Sequence, residues 1–297
     1  MKHRHSERHR SALAPPETRH TIDLPLTSLH YARCGEGEPL IMVPATISLI
    51  DDWLPYIQFV GQRFQTHFFE LPGHGGSTPF AEPFSSDLVA EMVEQLADAL
   101  GFETFALMGF SFGGLLTMKT LQRLGDRVSK VIVLSPFVSH RGLQHSPSKL
   151  RAVQIAAASA QQPLGREAWL HIMRDPVAVG AFVWFMTSVG KYETTTDLRA
   201  RLRSFADSSF DTLTRQVVEI LSTAEEDLAG PFPQPCFFGM SRIDPLLDYK
   251  TSFDFVTANF PDLRVEEWDF PFHAPPDPFT FEQLNEHYGN LLGAFDE

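Results

Sequence analysis

The sequence predicts an α/β fold, a mostly parallel β-sheet with helices on both faces. Three observations predict it. Short apolar runs alternate with stretches of helical periodicity through the first half of the chain. Runs such as Pro39-Leu40-Ile41-Met42-Val43 lack the polar alternation of a half-exposed strand, as expected for strands buried on both faces. One run, residues 104–108, turns into a helix within a few residues at Gly109-Phe110-Ser111-Phe112-Gly113. Alternating strands and helices imply parallel strands with ligands at their carboxyl ends.

In chain order, residues 21–26 and 28–33 read as two short strands, and Cys34-Gly35-Glu36-Gly37-Glu38 as a turn. Residues 39–43 form the first buried strand. Pro44-Ala45-Thr46, a loop and a helix carrying Trp53, Leu54, Ile57, Phe59 and Val60 follow. Residues 66–71 are a strand closing on Pro72-Gly73-His74-Gly75-Gly76-Ser77. Ser85-Ser86-Asp87 offers N-caps for a helix with Leu88, Val89, Met92, Val93, Leu96 and Leu100 at helical spacing, stopped by Gly101. The serine-bearing strand and its helix come next, then a strand at residues 128–134.

From about residue 137 to 231 only helical periodicities appear, at 149–160, 166–174, 177–189, 198–205 and 213–223. This segment reads as an inserted helical lid. The apolar residues 177–186 could equally line a substrate pocket or face the inside of the lid. The core resumes at 232 with a strand at 236–238, the turn Gly239 to Asp244, a helix at 249–260, a strand at 263–270 and a closing helix at 279–295. The expected organisation is therefore a tail at 1–20, a core at 21–136 and 232–297, and a lid at 137–231.

Composition narrows the function. The 297 residues carry 24 Lys+Arg against 37 Asp+Glu, a net charge of −13. No nucleic-acid partner is expected, because neutralising phosphates needs a basic face. The His- and Arg-rich tail lacks the apolar stretch of a secretory signal and reads as a disordered terminus, and no run is long enough to span a membrane. Cys34 and Cys236 lie in different predicted strands without metal-ligand spacing. Both are expected free, which points to a reducing, cytoplasmic setting. Self-association is left open, and no metal or organic cofactor is expected.

The serine at the strand-to-helix turn carries the chemistry. Such a turn holds Ser111 in a strained, exposed position above a helix N-terminus, whose free N–H groups favour developing negative charge. A serine hydroxyl needs a base, and His74 and His273 both follow predicted strands. Asp244, Asp248 and Glu70 are the carboxylates placed to orient one.

With Leu71-Pro72-Gly73-His74-Gly75-Gly76-Ser77, Gly109-Phe110-Ser111-Phe112-Gly113-Gly114, the turn Gly239 to Asp244 and the late His273, the chain from about residue 21 onward resembles the α/β-hydrolase superfamily. The likeness is to lid-bearing branches such as esterases, epoxide hydrolases and proline iminopeptidases. Glu70 stands where those members carry Asp before the Pro-Gly pair. The resemblance implies an eight-stranded, mostly parallel sheet, with the catalytic residues after strands five, seven and eight. It also puts Cys34 and Cys236 toward opposite edges. It favours Ser111 as nucleophile, His273 as base and Asp244 as its acid, with Asp248 the alternative acid and His74 a loop-stabilising residue. The oxyanion hole follows as the backbone N–H groups of Phe112 and Thr46, the latter because Pro44, nine residues before Trp53, takes the place of the family's His-Gly. Phe272 stands where a glycine often precedes the histidine.

The expected reaction is hydrolysis of a carboxylic ester or related small acyl compound, with an apolar substrate favoured by the phenylalanine-rich site. The same residues could serve C–C bond hydrolysis, an amidase or peptidase reaction, or acyl transfer. An aminopeptidase would use a carboxylate cluster such as Glu225-Glu226-Asp227, but that stretch reads rather as a solvated charge run. A reading from a different class is a hydrolase-fold binding protein with little or no turnover, supported by the absence of the His-Gly pair.

Overall fold

The computed structural model describes residues 14–46, 48–175, 177, 207–273 and 280–293. Eight strands form one sheet in the order β1-β2-β4-β3-β5-β6-β7-β8. They are β1 (Glu17–Asp23), β2 (Ser28–Cys34), β3 (Glu38–Val43), β4 (Phe64–Phe69), β5 (Phe105–Phe110), β6 (Val128–Leu134), β7 (Cys236–Ser241) and β8 (Leu263–Trp268). The β1–β2 and β2–β4 pairs are antiparallel, and every other pair is parallel.

The helices of the core are α1 (Ile50–Val60), α2 (Ser86–Ala99) and α3 (Phe112–Leu124) in the first half. Between β6 and β7 the described helices are α4 (Pro147–Ala160), α5 (Pro163–Arg174) and α6 (Asp207–Ser222), with short 3-10 turns on either side. Two more, α7 (Tyr249–Asn259) and α8 (Phe281–Leu292), complete the core. The sequence expectations of helices at 177–189 and 198–205, and of an apolar pocket wall at 177–186, lie outside the described residues apart from Val177.

Strand side chains alternate between two cores, as a period of two requires. Ile41, Val43, Leu107, Val131, Val133, Phe238 and Met240 pack with α2, α3 and α7 on one face. Leu40, Met42, Ala106, Met108, Ile132, Leu134 and Phe237 pack with α1 and α8 on the other. This double burial produced the continuous apolar runs. Cys34 and Cys236 are both buried and free, on the second strand from each edge. Burial pushes the Cys34 thiol up to about 11.

One boundary moves. The tail expected at 1–20 overlaps β1, because residues 17–20 pair with residues 31–34 of β2. Edge strand β1 is mostly exposed, so it buries too little apolar surface to leave a pattern. Its pairing comes from the backbone, and Arg19 ties the strand to α1, its Nη2 donating to Asp51 Oδ1 at 2.6 Å.

Candidate active site

Ser111 sits in the single residue between β5 and α3, with φ 54° and ψ −120°. A side chain at positive φ is strained and persists only when its surroundings dictate it. Here they do so on several sides. Ser111 N–H donates to Leu134 O at 3.1 Å, and Ser111 O accepts from Gly114 N–H and Phe137 N–H, both at 2.8 Å. The two glycines around the serine leave no room for a Cβ. One added at Gly109 would lie 2.2 Å from Thr117 Oγ1, and one at Gly113 would lie 2.5 Å from Val43 O. The second contact shows how closely the first turn of α3 approaches the end of β3.

His273 follows β8 and Asp244 follows β7, and the fold brings both to Ser111. His273 Nε2 is 2.7 Å from Ser111 Oγ, and His273 Nδ1 is 2.7 Å from Asp244 Oδ2. An ionised carboxylate can only accept, so the Nδ1 proton donates to Asp244 and Nε2 accepts from the serine hydroxyl. Asp244 is itself fixed, its Oδ1 accepting from Leu246 N–H at 2.8 Å and Leu247 N–H at 3.0 Å. Phe110 covers part of the imidazole at 5.1 Å between ring centroids. Trp53, Trp268 and Phe270 crowd behind it and leave about 10 Å³, room for one water at most. Phe272 stacks on Phe270 at 5.1 Å.

Phe112 is the first residue of α3, so its N–H has no acceptor within the helix. Thr46 lies in the loop between β3 and α1, half-buried, two residues past the Pro44 backbone that touches Gly113. Both amides belong to segments that meet beside Ser111.

The competing sequence candidates are engaged elsewhere. Asp248 caps α7, accepting from Thr251 N–H and Thr251 Oγ1, each at 2.8 Å. Glu225 and Glu226 pair with Arg141 at 2.6 and 3.0 Å, and Asp227 accepts from Ala224 N–H at 2.9 Å. His74 is buried, with Nε2 3.2 Å from Gln216 Nε2 on α6. Burial lowers its pKa to about 4, against the opposing pull of the Gln216 contact.

Glu70 has a role that the sequence did not disclose. Its buried carboxylate accepts from Ile50 N–H at 3.0 Å, from Gly76 N–H at 2.6 Å, and contacts His30 Nδ1 at 2.9 Å. It thereby joins the loop after β4 to the start of α1, and so anchors the far end of the Thr46 loop. Its place at the end of a strand, where the resembled members carry Asp, marked the position but not this role, because a cap supplied from 20 positions away has no sequence signature.

The arrangement as a whole is a serine hydroxyl backed by an imidazole and a carboxylate, beside a helix N-terminus. Among the described residues no cluster of His, Cys, Asp and Glu is placed to hold a metal, and no helix is long and apolar enough to cross a membrane.

The chain is similar to known proteins. Over 173 residues the chain is 27% identical to N-formylmaleamate deformylase of Pseudomonas putida, covering 52% of this chain and 65% of that enzyme, just under two thirds of its length. It is 25% identical over 217 residues to the pimeloyl-[acyl-carrier protein] methyl ester esterase of Nitrosomonas europaea, covering 69% of this chain and 84% of that one. Among solved structures, a mutant of an epoxide hydrolase from Bacillus megaterium superposes with a TM-score of 0.68 at 21% identity, over 92% of this chain and all of that one. At that identity the superposition speaks for the fold alone, whereas the two sequence relatives are hydrolases. A family model described as the alpha/beta hydrolase fold matches residues 38–206, more than half of the chain, and the chain belongs to that family.

Proposed function

We propose that the protein is a serine hydrolase that cleaves a carboxylic ester or related acyl compound through Ser111, His273 and Asp244. The observation that carries this reading is the unbroken line of two 2.7 Å contacts from Asp244 Oδ2 through His273 to Ser111 Oγ. His273 Nε2 takes the proton of Ser111 as Oγ attacks the acyl carbon. Asp244 stabilises the imidazolium that results and holds the ring in its tautomer. The Phe112 and Thr46 N–H groups receive the oxyanion, a role that asks only for backbone donors. His273 then protonates the leaving group, and the acyl-enzyme is released by a water that His273 activates.

In this reading residues 137–231 form a lid over Ser111, and the substrate is small and apolar. Two buried thiols without a disulfide fit the cytoplasm.

The test is turnover of a short-chain aryl ester by the wild type and by Ser111→Ala. Loss of turnover in the variant supports the assignment, and equal rates exclude it. Amide hydrolysis is the second reading, because a relative at 27% identity is named a deformylase. A matched formamide and formate ester offered to the same preparation would separate the two.

A further inference from the structure

Away from Ser111, the described residues enclose a second cleft of about 400 Å³. That volume falls within the ~300–1,000 Å³ typical of small-molecule sites. One wall is the segment between β4 and α2, where the rings of Phe80 and Phe84 lie 6.2 Å apart. The facing wall comes from the helices between β6 and β7, with Arg166, Asp211 and Arg215 among its residues.

The charges on these walls are not equivalent. Arg166 is spent on Asp211 in a two-point pair, Nε to Oδ1 at 2.7 Å and Nη2 to Oδ2 at 2.8 Å. Glu82 is exposed at the rim, where water solvates it. Arg215 is half-buried and has no hydrogen bond or ion pair among the described residues. A guanidinium cannot lose its proton and carries five donors in a planar fork that matches a carboxylate. It therefore stands half-buried and unmatched in a cleft whose other wall includes the edges of Phe80 and Phe84, rings otherwise packed into the core.

We infer that this cleft binds a small monocarboxylate with an aromatic or alkyl body, its carboxylate on Arg215 and its body against Phe80 and Phe84. Glu82 and Asp211 disfavour a second negative charge. Such a ligand would bridge the core segment and α6. Thr212, on the same helix, already donates to Pro72 O at 3.1 Å, so the ligand would reinforce an existing seam. None of the cleft residues belongs to the Ser111 cluster, so binding does not depend on hydrolysis.

The test is titration calorimetry of the full chain with 4-phenylbutyrate and with the neutral 4-phenylbutanol. Saturable binding of the carboxylate is expected, with the alcohol weaker by roughly 10-fold or more, the worth of a charge-assisted contact. Arg215→Gln should weaken the carboxylate by the same factor and leave the alcohol unaffected, and Arg215→Lys should restore part of the loss. No saturable binding to the wild type, equal affinity for acid and alcohol, or a folded Arg215→Gln protein that binds like the wild type would each overturn the inference. Should Arg215→Gln fail to fold, the acid-against-alcohol comparison on the wild type decides alone.

Discussion

Glu70 Oε1 accepts the Ile50 N–H at 3.0 Å and so caps a helix whose own N-cap residue, Leu49, makes no side-chain cap. The same carboxylate holds Gly76 N–H, so one side chain ties together two loops at the carboxyl ends of β3 and β4. Glu70→Gln keeps the shape but replaces one accepting oxygen with a donor that faces another N–H. Leaving buried N–H groups unmatched costs about 1–3 kcal/mol, so the variant should unfold at lower urea. Its aryl-ester kcat should also fall if Thr46 supplies an oxyanion donor. An unchanged unfolding midpoint would show that the network contributes nothing.

Ser111→Ala, His273→Ala and Asp244→Asn should each lower kcat by roughly 10³-fold or more with little change in KM, as groups acting mainly in the transition state do. Because they act as a unit, Ser111→Ala combined with His273→Ala should be no slower than the worse single variant. Additive losses would contradict a shared mechanism. Fluorophosphonate labelling followed by mass spectrometry should place the adduct on Ser111, and a protein that resists labelling would favour the non-catalytic binding reading.

The buried His74 should make stability depend on pH on the acid side. Burial lowers its folded-state pKa to about 4, from an unfolded value of 6.5. Between these values the unfolded chain holds a proton that the folded chain does not, so stability is full above 6.5 and declines as pH falls toward 4. His67 is lowered to about 4 by the same cause and adds to the slope. A shift of that size is worth on the order of 3 kcal/mol per group. Urea unfolding of His74→Gln from pH 7 to 4 should show a shallower decline than the wild type, and parallel curves would exclude the linkage.

Gly109→Ala should destabilise the turn at Ser111. The added Cβ would lie 2.2 Å from Thr117 Oγ1 and 2.3 Å from Gly113 O, and backbone cannot yield as a flexible side chain does. Overpacking of this kind costs about 1–3 kcal/mol, readable as a lower thermal midpoint. A wild-type midpoint would mean that the close approach is relaxed in solution.

The strands buried on both faces were legible because both of their neighbours are apolar. Leu40 and Met42 face one core and Ile41 and Val43 the other, which leaves an uninterrupted apolar run. The turn at Ser111 was legible for a related reason, since glycines on either side of a serine record two contacts too close for a Cβ. Strand β1 was partly missed because its residues are mostly exposed and its partner, rather than its own composition, makes it a strand.

By itself, then, the amino-acid sequence determined the alternation of strands and helices and the serine at the tight turn, because each is written in neighbouring residues. Which carboxylate stands behind His273, what holds Glu70 and His74, and where Arg215 is left without an acid were decided only by the tertiary structure. Most of those pairings join positions 20 to 142 residues apart, and hydrogen bonds across such distances leave no periodic trace in the chain.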